Sequence, residues 1–256
     1  MILYAPDSSH WYQADGTAMH TVLSAKGEQR PTTLRDARKL NLLPSVTNIL
    51  GIIAKPELTG WLQEQAVLAS LTLPRIAGET EDAFARRVVE DSKTTRDMAA
   101  DFGTAFHAGA EAVVHGFPVK DGPQAEWLHL YAAWVKANVI RVLWTESALV
   151  GSSPGYAGCA DLLIEHQAYG LTLCDLKTQR VRAGEKPKAY KSWAYQLAAY
   201  QKAAKLNCRC LNIMIPSVAP GEPVEHLWEE AEIERGWEAF KAAHKLWSIE
   251  KNYEPA

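Results

Sequence analysis

Two apolar runs of strand length, YAGCADLLIEH and LTLCDLKT, lie between Gly155 and Gln179 on either side of a short polar turn. Each carries one aspartate: Asp161 inside GCADLLI and Asp175 inside LTLCDLK, with Lys177 two residues further on. Runs this apolar read as the centre of a sheet, where charge is costly unless it is compensated. With the turn centred on Ala168, an antiparallel hairpin sets position 161 opposite position 175. Side chains alternate along a strand, so Lys177 points the same way as Asp175. The hairpin therefore predicts three charges converging on one side of one ladder.

Two carboxylates directly opposite each other destabilise a ladder when nothing neutralises them. At about 5 Å, with an effective dielectric near 20, the repulsion is on the order of 3 kcal/mol. A divalent cation reverses that sign. Carboxylate oxygens suit a hard ion such as Mg²⁺ or Mn²⁺, which keeps several waters and also binds substrate phosphate. A lysine beside such an ion can help deprotonate an attacking water or stabilise charge in a phosphoryl transition state. The competing reading is a solvated face with Lys177 as an ion-pair partner, and it explains the core-like surroundings of both aspartates poorly.

At 256 residues, with 47% hydrophobic and 22% charged residues, the chain has the size and composition of an ordinary globular domain able to bury a core without disulfides. No apolar run approaches the roughly 20 residues needed to span a bilayer. MILYAPDSSHWYQADG lacks the basic and apolar regions of a signal peptide, so a cytoplasmic location is expected, with no membrane partner. Cys159, Cys174, Cys208 and Cys210 form no CxxC pair and show no zinc-ligand spacing, and are expected as free thiols. The net charge of −3 does not favour a polyanionic partner, but its distribution is uneven. KTQRVRAGEKPKAYK holds Lys177, Arg180, Arg182, Lys186, Lys188 and Lys191 against one acid, Glu185.

Along the chain, HWYQADGTAMHTV predicts a hairpin around Asp15-Gly16. TTLRDARKL predicts a short helix with a threonine N-cap, and PSVTNILGII a segment started by Pro44. The pattern is helical over 56–100, then again over 103–115 and 123–139, with GFPVKDGP as a breaker. LWTESALVG, YAGCADLLIEH and LTLCDLKT read as three consecutive strands. A helix over about 189–206, a strand RCLNIMIP, a further strand VEHLWEE and a long closing helix from about Ala231 follow. This order argues for an α/β fold with a mixed central sheet flanked by helices, preceded by a helical accessory region over residues 1–100.

Two further segments add polar groups. In DFGTAFHAGAEAVVHGF, His107 and Glu111 are one helical turn apart on one face. A lone histidine beside an apolar stripe is usually structural; beside paired carboxylates it becomes a candidate metal ligand. AYKSWAYQLAAYQKAAKL places Tyr190, Trp193, Leu197, Tyr200 and Ala204 along one stripe, with Gln196 and Tyr200 on its edge. The polar tips of both are expected to reach past the core towards a phosphate or base.

Taken in order, GTAFH (103–107), YAGCAD with Gly158 and Asp161, DLK (175–177) and QLAAY (196–200) resemble the motifs of the PD-(D/E)XK nuclease superfamily. The resemblance is to its RecB-like type, which includes phage recombination exonucleases and the mitochondrial genome maintenance exonuclease. LPSVTNILG and KPELTGW also resemble a segment preceding the core of phage-type members. The resemblance implies a restriction-endonuclease-like core over 101–256 within one nuclease domain. It implies that His107, Asp161 and Asp175 bind Mg²⁺ or Mn²⁺ with help from the Leu176 carbonyl, and that Lys177 is the catalytic lysine. It implies that Gln196 and Tyr200 hold the DNA strand, with Arg180, Arg182 and Lys188 supplying phosphate contacts. Glu146, read as the start of the first core strand, and Glu111 are weaker acidic candidates. The cysteine spacing departs from that of relatives carrying an iron–sulfur cluster, so none is expected.

The function so implied is a metal-dependent DNA exonuclease acting on double- or single-stranded ends in phage recombination or DNA repair. Its setting would be the bacterial host cytoplasm if phage-encoded, and its partners would extend to a single-strand annealing protein and to further copies of the chain. The rivals are a structure-specific or restriction-type endonuclease on the same core, a catalytically silent DNA-binding module, and a metal-binding regulatory protein.

Overall fold

The computed structural model describes residues 10–181 and 185–255. Short elements open the chain: β1 (Trp11–Tyr12), β2 (Thr21–Leu23), β3 (Gln29–Pro31), α1 (Leu34–Leu40), β4 (Leu43–Pro44) and α2 (Val46–Leu50). The turn at Asp15-Gly16 forms, with Gly16 at φ +89° and the Asp15 carboxylate accepting from Thr17 N–H at 2.8 Å. The expected hairpin does not propagate from it. Tyr12 bridges only Ala18, and β1 pairs instead with β4, which buries Trp11 and Tyr12. A threonine caps α1 as expected, and the structure adds a capping box in which Thr33 and Asp36 satisfy each other's backbone N–H groups. Ser45, rather than Pro44, caps α2.

Two long helices follow, α3 (Pro56–Thr72) and α4 (Glu81–Val114), then α5 (Ala125–Asn138). The helix expected to begin at 103 is the C-terminal third of α4, which runs without a break across the 100/101 position. DFGTAFH contains no residue that stops a helix. Gly103 serves contact rather than termination, since a Cβ there would stand 3.1 Å from Thr178 Oγ1. That close approach lays the end of α4 against the central sheet.

The sheet comprises β5 (Val139–Ser152), β6 (Gly155–His166), β7 (Gly170–Gln179), then, after α6 (Lys191–Ala203), β8 (Arg209–Pro216) and β9 (Val224–Trp228); α7 (Glu230–Lys251) closes the chain. Strand order is β5-β6-β7-β8-β9, with only the β7–β8 pair parallel. A parallel pair needs a crossover, and α6 provides it. One face packs Leu163, Leu173, Cys210 and Trp228 against residues of α2, α6 and α7. The other packs Leu162, Ile164, Cys174, Leu176 and Leu211 against Phe106 and Ala110 of α4 and Tyr131 of α5. Covering both faces is what makes β6, β7 and β8 read as near-continuous apolar runs. The architecture is thus mixed α/β, a five-stranded mixed sheet flanked by helices. The cysteines are free, Cys174 and Cys210 buried and the others half-buried. Among the described residues no helix is long and apolar enough to cross a membrane.

Candidate metal centre

The β6–β7 ladder runs from His166↔Gly170 to Leu162↔Cys174, so its centre is Ala168, the register read from the sequence. It stops one step short of the aspartates. There the Leu176 N–H turns from the β6 backbone to the Asp161 side chain, donating to Oδ2 at 2.7 Å, while β7 remains paired with β8. Asp175 and Lys177 do share a face: Lys177 Nζ lies 2.9 Å from Asp175 Oδ1 and 2.8 Å from Oδ2. Asp161 is the exception to the expected single-sided cluster. Its carboxylate sits where the two strands part, 3.7 Å from His107 Nδ1 of α4.

β5 brings the third carboxylate. Thr145 pairs with Leu162 and Ser147 with Ala160, which leaves Glu146 opposite Asp161 between them. Glu146 lies mid-strand, seven residues after Val139 begins β5, and not at the strand's start as the sequence reading had it. Its φ of +41° is a left-handed conformation that side chains disfavour. Such strain persists where surrounding structure imposes it and collects at functional sites. Ligand atoms of His107, Glu146 and Asp161 all lie within 4.8 Å of one another. They line a cleft of about 230 Å³, open to solvent, with Glu111, Thr145, Tyr131 and Leu176 among its walls. Glu111 borders the cleft one turn beyond His107 and accepts from Thr145 Oγ1 at 3.5 Å.

The electrostatics follow from this crowding. Burial, then the charge of Asp175, raises the Asp161 carboxyl well above the ordinary carboxylate range, against the opposing pull of Lys177 and the Leu176 N–H. Glu146 is also raised, chiefly by burial, with Glu111 and Asp175 adding to it. Burial and the charge of Glu146 push the Cys159 thiol up to about 12, so it stays protonated and donates to Glu146 Oε2 at 3.3 Å. Burial lowers His107, which keeps the imidazole neutral and its lone pair available; a hydrogen bond with the Leu176 backbone opposes that shift. Crowded carboxylates of like charge, Asp161 half-buried and Glu146 exposed at the rim, and a neutral imidazole around one cleft form a donor set that fits a divalent cation, hard oxygens for Mg²⁺ and one nitrogen acceptable to Mn²⁺.

Lys177 is held on two sides. Besides Asp175 it donates to Gln196 Oε1 at 3.1 Å, and Gln196 Nε2 donates to Tyr200 Oη at 3.1 Å. Gln196 and Tyr200 are buried, 9% and 3% exposed. Their polar groups meet each other and, through Gln196, the lysine, instead of reaching past the core edge to a substrate. Arg180 and Lys188 are exposed on the segment after β7. Gln179 clamps that segment, donating to Lys188 O at 3.0 Å and accepting from Lys188 N at 2.7 Å. Arg182 lies outside the described residues.

Sequence reasoning missed three contributors. Cys159 holds Glu146, Gln179 ties the basic segment to the sheet, and Asn212 donates to Asp175 Oδ2 at 2.7 Å. An asparagine in the middle of CLNIMIP was the available signal for the last, since a buried amide in an apolar strand requires partners.

Gly158 acquires a steric reason. A Cβ at this position would lie 2.7 Å from Tyr200 Cε1, part of a ring that is itself buried. Gly158→Val is expected to displace the ring, break the Gln196–Tyr200 bond and cost about 1–3 kcal/mol of stability, as overpacking does. Urea unfolding of the two proteins checks this; equal midpoints would show that the ring has room to move.

No protein-family model matches the chain. No curated protein matches it either. Among solved structures, one titled "Crystal structure of SSO0001" is similar at 15% identity with a TM-score of 0.31, over 73% of this chain and 86% of that one. A likeness of that size says nothing of function.

Proposed function

We propose that the chain is a Mg²⁺- or Mn²⁺-dependent deoxyribonuclease of the PD-(D/E)XK type, with a restriction-endonuclease-like core, that hydrolyses phosphodiester bonds at DNA ends. The observation that carries this reading is the convergence of His107, Glu146 and Asp161 within 4.8 Å, with the Lys177–Asp175 pair beside them. A structural ion pair alone would not require two further carboxylates and a histidine crowded next to it.

His107, Glu146 and Asp161 would hold the cation, with Asp175 and the Leu176 carbonyl completing its protein ligands. When bound, the cation supplies Lewis-acid stabilisation of a phosphoryl oxygen and lowers the pKa of water in the cleft. The protein's own groups perform the remaining work. Lys177, fixed between Asp175 and Gln196, presents an ammonium N–H to charge that develops on the phosphate oxygens. Tyr200 orients Gln196, and Gln196 orients the lysine. The neutral His107 ring would offer a nitrogen lone pair to the cation. Arg180 and Lys188 would neutralise backbone phosphates beyond the scissile bond, which makes binding sensitive to salt.

The test is cleavage of end-labelled duplex and single-stranded DNA with Mg²⁺, with Mn²⁺ and with EDTA. The expected result is metal-dependent loss of label from linear DNA, absent in Asp175→Ala. Wild-type protein that cuts nothing in either metal would end the nuclease reading. Cutting of closed circular DNA at a comparable rate would transfer the assignment to an endonuclease.

A further inference from the structure

Asn212 stands at the centre of a hydrogen-bonded chain that reaches the candidate site from its far side. The parallel β7–β8 register sets Asn212 against Asp175, and the antiparallel β8–β9 register brings in Trp228 from the edge strand, opposite Cys210. Trp228 Nε1 donates to Asn212 Oδ1 at 2.7 Å. Asn212 Nδ2 donates to Asp175 Oδ2 at 2.7 Å and to the Asp175 main-chain oxygen at 3.2 Å. Lys177 approaches the same carboxylate from the other side.

The chemistry of the indole fixes the direction of the chain. An indole N–H only donates, so the amide must turn its oxygen towards Trp228. The amide nitrogen is thereby committed to Asp175, with both of its hydrogens used on that residue. We infer that Asn212, its amide oriented by Trp228, is a positioning residue that sets the Asp175 carboxylate for cation binding. This inference deepens the nuclease reading and rests on it.

Burial makes the arrangement consequential. Asn212 is 0% exposed, Asp175 1% and Trp228 4%, so water does not replace a lost partner. Leucine at 212 matches the amide in size but leaves the indole N–H without a partner and the Asp175 carboxylate held by Lys177 alone. Phenylalanine at 228 keeps an aromatic ring and removes only the N–H that orients the amide. Partners of metal-binding carboxylates typically matter 10- to 100-fold in metal affinity or activity.

The experiment compares wild type, Asn212→Leu, Trp228→Phe and the double variant in three measurements. These are Mn²⁺ affinity by calorimetric titration, DNA affinity in Ca²⁺, and single-turnover cleavage in Mn²⁺. For Asn212→Leu the Mn²⁺ affinity and cleavage rate are expected to fall on the order of 10- to 100-fold, with DNA affinity within about twofold of wild type. Trp228→Phe is expected to lower the same two quantities by less. Because Trp228 acts through Asn212, the double variant should be no worse than Asn212→Leu alone.

Folded Asn212→Leu that binds Mn²⁺ and cleaves like wild type overturns the inference, as does a double variant whose losses simply add. Should Asn212→Leu not fold, Trp228→Phe decides: reduced Mn²⁺ affinity supports the inference, and wild-type affinity overturns it. Wild-type protein that neither binds Mn²⁺ nor cuts DNA would instead remove the nuclease reading itself, so the two failures are told apart.

Discussion

Lys177→Ala is expected to lower single-turnover DNA cleavage by about 10²- to 10³-fold, the cost of removing one preorganised donor from a developing oxyanion. The same substitution should weaken the protein when no metal is present. Lys177 Nζ is the cation bonded to both oxygens of Asp175, whose side chain is 1% exposed. Removing one partner of a buried pair typically costs about 3–5 kcal/mol, because the other charge is left without compensation. Asn212 remains to donate to Oδ2, so the cost should lie at the lower end. A divalent cation would supply the missing positive charge, so Mn²⁺ is expected to raise the melting temperature of Lys177→Ala by more than it raises that of wild type. Arginine is no substitute. Its planar fork cannot reproduce a single Nζ shared between Asp175 and Gln196, and Lys177→Arg should stay as inactive as the alanine variant. Rapid-quench cleavage and thermal melts in EDTA and in Mn²⁺ measure both effects. Cleavage by Lys177→Ala at the wild-type rate would exclude the lysine from the chemistry.

The hairpin was legible because its two signals are local. Period-2 apolar runs and a short polar turn fix the register within one supersecondary unit, and the ladder centred on Ala168 follows from them. The same is true of Lys177 on the face of Asp175 and of the threonine N-cap of α1. What escaped the sequence depends on approach between distant segments. Asp161 leaves the ladder to take the Leu176 N–H, and nothing in GCADLLI distinguishes that from ordinary pairing. Glu146 meets Asp161 because β5 begins four residues before LWTESALVG and adopts φ +41° at Glu146. Gln196 and Tyr200 read as outward-reaching because helical periodicity gives a face but not what crosses beneath it. The unbroken α4 shows the converse error: the helical pattern read as two segments over 56–100 and 103–115 runs through Gly103, which lets the helix approach Thr178.

Asp161→Asn is expected to separate stability from function more sharply than any other change. Asn keeps an oxygen that can accept from the Leu176 N–H, as Asp161 Oδ2 does at 2.7 Å. It removes a negative charge that burial and Asp175 oppose. In EDTA at pH 8 the variant should therefore be the more stable protein, by on the order of 2 kcal/mol if repulsion at carboxylate-pair distances is relieved. The pH dependence follows from the raised carboxyl. Folded Asp161 holds its proton at pH values where the unfolded side chain, near 3.9, has lost it. Its contribution to metal-free stability is fully present below the unfolded value and is lost as pH rises through the raised folded value. The variant has no such proton, so its advantage over wild type should vanish at low pH and grow towards pH 8. Saturating Mn²⁺ should reverse the order, since a ligand at 100 times its dissociation constant stabilises the folded state by about 2.7 kcal/mol and the variant has lost a ligand. Cleavage should fall together with that stabilisation. If Asp161→Asn unfolds more easily than wild type in EDTA at pH 8, then the carboxylate serves the fold, and the crowding of Glu146, Asp161 and Asp175 has an origin other than a cation.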